Sequence, residues 1–434
     1  MPERVLTEPT HAVEPNKMRK VITAAAVGNF IEWYDFAVYG FLATTLAAQF
    51  FPSENPTSAL LETFAVFAVA FALRPLGGIF FGRLGDRLGR RSTLSLTVIL
   101  ISGSTAAIGL MPTYSSVGVV APILLVLARC VQGFSAGGEY AGACAYVIEH
   151  APRDKRASVS SFIPVSTFWS FAFAAGFTFG LSHLLDSAAM SDWGWRVPFL
   201  IALPLGLFGF YLRFKLEESP LFESAEHDEE LVTSPVKETI VHHWRTIVLL
   251  AGFIAATALS FYTFTTYMST FMQVVGGLNQ PSALLSSCIC LILAGALCPV
   301  VGRMSDRIGR RATTRSACLI LIVAVFPAFI MAGTGVLWIS IVGQMLLGIG
   351  AVMTGIVTAV LMSELFPTRV RYTASASSYN LAYTLFGGSA PFIATLLIST
   401  TGNRLAPAMY LVIVCIIALA ACSKLPETSN RALN

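Results

Sequence analysis

Four ionisable side chains, Glu32, Asp35, Arg74 and Arg129, fall inside long apolar runs of this 434-residue chain. At the middle of a bilayer an ionisable group costs roughly 2.5–3.5 kcal/mol, so each needs a partner or a function. Asn29, Glu32, Asp35 and Tyr39 recur at helical spacing and share one helix face. A helix entering near residue 21 and rising about 1.5 Å per residue carries Glu32 about 16 Å and Asp35 about 21 Å into a ~30 Å hydrocarbon core. Arg129, Gln132, Ala136 and Glu139 repeat the pattern in the fourth apolar run. A carboxyl group in such surroundings can take a proton from one aqueous side and release it to the other. Arginine keeps its charge, and its planar fork suits the carboxylate of a bound molecule. Glu32, Asp35 and Glu139 are therefore the expected proton-coupling residues. Asn29, Tyr39, Arg74, Arg129 and Gln132 are expected to bind substrate. The competing reading makes the carboxylates and arginines permanent structural salt bridges.

The second half of the chain offers neutral groups in place of charge. Tyr262 and Tyr267 lie in the seventh apolar run, and Tyr379, Asn380 and Tyr383 in the eleventh. At this spacing such side chains also serve as helix–helix contacts. In transporters built from repeats, however, the site lies at the repeat interface near the midplane. The first half is thus expected to bring charge, and the second half shape and neutral hydrogen bonds.

The elements that must position these residues follow from composition. Apolar residues make up 55% of the chain and charged residues only 12%, about half the charge of a soluble domain. Twelve apolar runs are long enough to span a bilayer, at 21–47, 60–82, 93–112, 119–148, 157–184, 195–215, 245–274, 282–302, 313–332, 336–365, 372–400 and 405–424. Lys and Arg crowd alternate connections, while the opposite loops hold only Arg196 and Arg404. That asymmetry puts both termini in the cytoplasm. The expected organisation is a segment 1–20, a six-helix bundle 21–215, a linker 216–244, a second bundle 245–424 and a tail 425–434. The net charge of +4 is scattered over short loops and does not suggest nucleic acid. No nucleophile–base pair or metal-ligand spacing is present, and the eight cysteines lie in apolar segments. Neither an enzyme nor a metal or cofactor is expected.

Two motifs occur twice. Gly82-Arg-Leu-Gly-Asp-Arg-Leu-Gly-Arg-Arg91 returns 220 residues later as Gly302-Arg-Met-Ser-Asp-Arg-Ile-Gly-Arg-Arg311. Glu149-x-x-Pro152-x3-Arg156 returns as Glu364-x-x-Pro367-x3-Arg371. A duplication over half the chain, between apolar runs, indicates a transporter built from two parallel repeats.

The repeated basic loop and the segment Arg129-Cys-Val-Gln132-Gly133 resemble signature motifs of the major facilitator superfamily. Gly28-Asn29-Phe-Ile-Glu32-Trp-Tyr-Asp35, Leu73-Arg74-Pro75-Leu76-Gly77-Gly78 and Asp192-Trp-Gly-Trp195-Arg196 resemble its metabolite:proton symporter family. That family includes proline/betaine, α-ketoglutarate, citrate and shikimate transporters. The resemblance implies an all-α fold of twelve transmembrane helices in two pseudo-symmetric six-helix bundles, driven by the proton gradient and acting as a monomer in a bacterial-type inner membrane. It also implies that Gly82, Asp86 and Arg90, and by repetition Gly302, Asp306 and Arg310, form a gate. The expected function is import of a small carboxylate-bearing metabolite. A di- or tricarboxylate leads, with a zwitterionic osmolyte such as proline or betaine close behind. The latter would add Trp33, Tyr34 or Tyr262 as aromatic partners for a quaternary ammonium. The alternative is a proton-driven drug or metabolite antiporter.

Overall fold

The computed structural model describes residues 15–88, 90–137, 139–215, 235–429, 431 and 433. Among them nine helices are long and apolar enough to cross a membrane, and the bent pair Ser187–Gly194 and Arg196–Leu212 supplies a tenth. Helices over the first and third expected runs, Pro15–Phe41 and Arg90–Leu110, complete the twelve. The all-α fold in two six-helix halves is borne out.

In the first half the helices are α1 (Pro15–Phe41), α2 (Pro56–Leu88), α3 (Arg90–Leu110), α4 (Val120–His150), α5 (Arg153–Leu184) and α6 (Arg196–Lys215). The second half has α7 (His243–Val274), α8 (Gln280–Ile308), α9 (Arg310–Ala332), α10 (Leu337–Glu364), α11 (Val370–Thr401) and α12 (Ala406–Lys424). Two boundaries differ from the sequence expectation. Helical backbone already begins at Pro15 and at Pro235, so parts of the expected segment 1–20 and linker 216–244 are helical. Residues 216–234 of that linker lie outside the described residues.

Local sequence explains the breaks. Gly309 separates α8 from α9 at φ 91°, a backbone conformation open to glycine at little cost. Both α7 and α11 widen midway into single π-helical turns, Thr263–Tyr267 and Tyr383–Gly387. Such turns shift the helix face and are common at functional sites.

Small residues set the approach of helices where lipid gives little hydrophobic drive. A Cβ on Gly77 would run into the Phe134 carbonyl oxygen, and one on Gly133 into that of Ala70. The α2 and α4 backbones therefore touch, which brings Arg74 and Arg129 side by side. Between the halves, α5 lies along α8. Ala157 meets Gly302 near one end, the Trp169 indole fills the notch at Gly295, and Gly176 faces Cys288.

Candidate substrate and proton site

The four buried ionisable groups separate into two pairs. Glu32 and Arg74 face one small cavity, together with Tyr140 of α4 and Tyr379 and Asn380 of α11. The free space there is about 10 Å³, about the room one water needs. The Arg74 guanidinium lies 4.5 Å from the Phe36 ring, 4.6 Å from Phe71 and 5.7 Å from Trp33. Its Nε and Nη2 make no hydrogen bond, nor does the Tyr262 hydroxyl. Tyr140 stacks on Tyr379 with centroids 5.0 Å apart, and Tyr379 stacks on Tyr383 at 3.9 Å. The chamber thus carries one cation and one carboxyl group within walls of aromatic rings.

Asp35 and Arg129 form the second group. They are 1% and 0% exposed. Arg129 donates from Nη1 to Gln132 Oε1 at 2.7 Å, and Gln132 donates to Thr105. The guanidinium lies 4.3 Å above the Tyr39 ring, and the Tyr39 hydroxyl is tied to the Thr63 carbonyl oxygen at 2.9 Å. Neither Asp35 oxygen accepts a hydrogen bond. Thr105 lies beside it, but the single Thr105 hydroxyl proton goes to the Ile101 carbonyl oxygen. A buried carboxyl in this condition is tolerable as the uncharged acid and very costly as the anion.

Other expected site residues have structural partners. The Asn29 amide donates to Ser166, Thr167 and the Ile163 carbonyl oxygen and accepts from the Trp33 indole, so its capacity is used in joining α1 to α5. Tyr267 packs on Phe64 and Phe271, outside the cavity lining. Asn380 donates to the Gly137 carbonyl oxygen at 2.7 Å across the halves. Pro75 has no N–H to offer the carbonyl of Phe71 four residues before it, and Thr384 of α11 donates to that oxygen at 2.8 Å. On the same face Thr266 of α7 packs against Gly40 of α1, and Gln273 meets Thr44 at 3.3 Å. The halves therefore touch at the cavity and beside it.

At the end carrying the basic loops, the described copy of the repeated motif closes the gap. Asp306 accepts from the Ala157 and Ser158 amides at 2.9 and 2.8 Å, at the start of α5, and pairs with Arg310 at 3.0 Å. Arg310 makes a two-pronged bond to Glu364 at 3.1 and 3.2 Å. Arg156 lies 3.7 Å from Glu364, and Arg371 donates to Glu149 at 2.9 Å. Glu427 bridges the Arg310 and Arg311 amides, both at 2.9 Å, and so caps α9. Burial opposes its ionisation, but backbone N–H bonds from Arg311, Ser429, Arg310 and Thr428 outweigh that and hold its carboxyl below the ordinary range. The expectations for Gly82, Asp86, Arg90 and Glu139 concern side chains outside the described residues.

Sequence reasoning missed Tyr140 and the docked segment around Glu427. Tyr140 lies four positions beyond Ala136 and eleven beyond Arg129, so it shares their α4 face and could have been found there. Nothing in the local pattern marks Glu427.

The profile of the Major Facilitator Superfamily matches residues 25–391. The proline/betaine transporter of Escherichia coli (strain K12) is 39% identical, over 97% of this chain and 86% of its own length. The glycine betaine/proline/ectoine/pipecolic acid transporter of Dickeya dadantii is 38% identical over the same shares. Among solved structures, the proton:xylose symporter XylE bound to 6-bromo-6-deoxy-D-glucose superposes with a TM-score of 0.76 at 17% identity, covering 96% of this chain and 97% of that one. That likeness establishes the fold. A chain with this profile and these relatives belongs to the Major Facilitator Superfamily, as a multi-pass membrane transporter and not an enzyme.

Proposed function

We propose that this protein imports a small zwitterionic osmolyte, such as proline or a betaine, together with protons. The observation that carries this reading is the placement of Glu32 and Arg74 on one cavity walled by Tyr140 and Tyr379. A zwitterion presents a carboxylate to Arg74 as a two-pronged partner. It presents its ammonium to Glu32 and the aromatic faces, which attract a desolvated cation. A di- or tricarboxylate would bring a second negative charge beside Glu32, and the antiporter alternative has no observation in its favour. The relatives, transporters of proline, betaine and ectoine, point the same way.

Asp35 is the proposed proton carrier and Arg129 the fixed charge that makes its release possible. Proton and substrate thus use neighbouring groups of the first half. Glu139 remains a second candidate by its place in the sequence. In this account Arg74, Tyr140, Tyr262, Tyr379 and Tyr383 hold the substrate. Tyr39, Gln132, Asn29 and Asn380 hold the walls, and Tyr267 packs the outer side. The gate comprises Gly302, Asp306 and Arg310, with Gly82, Asp86 and Arg90 as its repeat. The end with the basic loops and both termini faces the cytoplasm of a bacterial-type inner membrane, because Lys and Arg segregate there. The protein works as a monomer, with no cofactor beyond the proton gradient.

Uptake of radiolabelled proline, glycine betaine, α-ketoglutarate and citrate into proteoliposomes, with and without an inward proton gradient, tests this. Gradient-dependent accumulation of the zwitterions alone supports the reading. Accumulation of the dicarboxylate or tricarboxylate alone overturns it.

A further inference from the structure

The interval that separates the repeated glutamates, Glu149 and Glu364, also separates Arg129 from Gln344. Gln344 is thus the counterpart, in the second repeat, of the arginine that faces Asp35. It is fully buried in α10 and all its polar capacity is directed at neighbouring helices. Its Nε2 donates to the Phe264 carbonyl oxygen at 3.1 Å and to Ser287 at 3.2 Å, while its Oε1 accepts from Ser286 at 2.8 Å. Phe264 belongs to the π-helical turn of α7. A widened turn displaces carbonyls from their usual donors, and inside a membrane each displaced group needs a replacement. One turn further along α10, a Cβ on Gly348 would come within 2.7 Å of the Phe264 ring. α10 therefore grips the widened turn twice, by a hydrogen bond to its backbone and by a notch for its side chain.

What the turn carries explains the grip. Tyr262 immediately precedes it, is fully buried, and its hydroxyl makes no hydrogen bond. Its ring meets Phe71 at 5.2 Å and Tyr383 at 6.1 Å. Without the widened turn the face of α7 rotates, and Tyr262 and Thr266 leave their places against the first half.

We propose that Gln344 is a positioning residue for substrate binding: by holding the π-helical turn of α7 it keeps Tyr262 against Phe71 and Tyr383, behind the Tyr379 wall of the cavity, and it takes no part in proton transfer. The first repeat uses this position for a charge linked to the proton, the second for a neutral clamp linked to shape. The inference rests on the zwitterion reading for its substrate and on geometry alone for the clamp.

The test compares wild type, Gln344→Leu and Gly348→Ala in two measurements. In proteoliposomes, Gln344→Leu raises the KM for glycine betaine about five- to tenfold, the effect of one lost hydrogen bond in a site. Maximal rate and the number of protons per substrate stay within about twofold of wild type. Gly348→Ala raises KM in the same direction with Gln344 intact, and it carries the test if Gln344→Leu does not fold. In hydrogen–deuterium exchange, both variants speed exchange across residues 259–271 and leave α4 unchanged. Wild-type KM, wild-type exchange over that stretch, or loss of proton coupling at unchanged KM overturns the proposal. If wild type takes up no zwitterion, the substrate reading fails and the exchange result alone decides whether Gln344 is the clamp.

Discussion

Arg371 donates to Glu149 at 2.9 Å, and the matching arginine of the other repeat, Arg156, lies 3.7 Å from Glu364. Each copy of the repeated glutamate–arginine element is completed by the other copy. The end with the basic loops is thus closed by an exchange of partners between halves, and opening there must separate both pairs. A duplicated sequence has become an interface in which each half recognises its twin.

The two pairs are not equal. Glu364 has a side chain only 2% exposed and serves Arg310 and Thr428 besides Arg156, whereas Glu149 is 26% exposed. Glu364→Gln removes the counter-charge beside Arg156 and leaves Arg310 with Asp306 alone, and should cost about 3–5 kcal/mol. Glu149→Gln should cost a fraction of that. Thermal unfolding of both variants in detergent checks the order, and equal losses would contradict it.

Asp306→Asn should alter access more than binding. The amide can still accept one hydrogen bond at the start of α5, but it has lost the charge that holds Arg310 and the second acceptor for Ser158. A cysteine placed at Ala376, beside the cavity, should be labelled faster from the basic end in this variant, with KM within about threefold of wild type. Unchanged labelling would leave the loop as a topological anchor only.

Glu427 makes docking of the final segment pH-dependent. Its carboxyl is held below the ordinary range by four backbone N–H groups, against the opposing effect of burial. A group with a depressed folded value contributes stability that is fully present above its unfolded value and is lost as pH falls through the folded one. Proteolytic release of the segment should therefore accelerate below the ordinary carboxylate range. Glu427→Gln should be released readily at neutral pH, with little further acceleration in acid. Acid-independent release in wild type would contradict this.

Much of this arrangement was legible in the sequence because membrane burial leaves few acceptable places for charge. Glu32, Asp35, Arg74 and Arg129 stood out against apolar runs, and all four are buried. How they would divide was not legible. The pairing of α2 with α4 depends on backbone contact at Gly77 and Gly133, which spacing within one helix does not reveal. Asn29 looked like a ligand because its face is correct, yet α5 consumes its amide. The π-helical turns were hidden for a related reason. The α7 turn has a partner on another helix, Gln344, whose amide reaches the Phe264 carbonyl oxygen. Pro75 was visible, but its freed carbonyl acquires meaning only once Thr384 is opposite.

The aromatic walls should discriminate among cations. Tyr379→Leu removes one face of the stack between Tyr140 and Tyr383. Loss of a desolvated cation–π contact of about 1–2 kcal/mol raises KM for glycine betaine roughly five- to thirtyfold. Proline, whose ammonium can still hydrogen-bond to Glu32, should lose less. Competition assays with both substrates check the ratio, and equal losses would place the ammonium elsewhere.

Zwitterion and proton are expected to move together, with Asp35 carrying the proton. Proteoliposomes containing a trapped pH-sensitive dye, with no imposed gradient, test it most directly when glycine betaine is added outside. The account predicts internal acidification in wild type. In Asp35→Asn there should be none, although exchange of labelled betaine continues, because the amide mimics the protonated acid and cannot release a proton. Betaine entry in wild type without acidification, or normal acidification in Asp35→Asn, would contradict it.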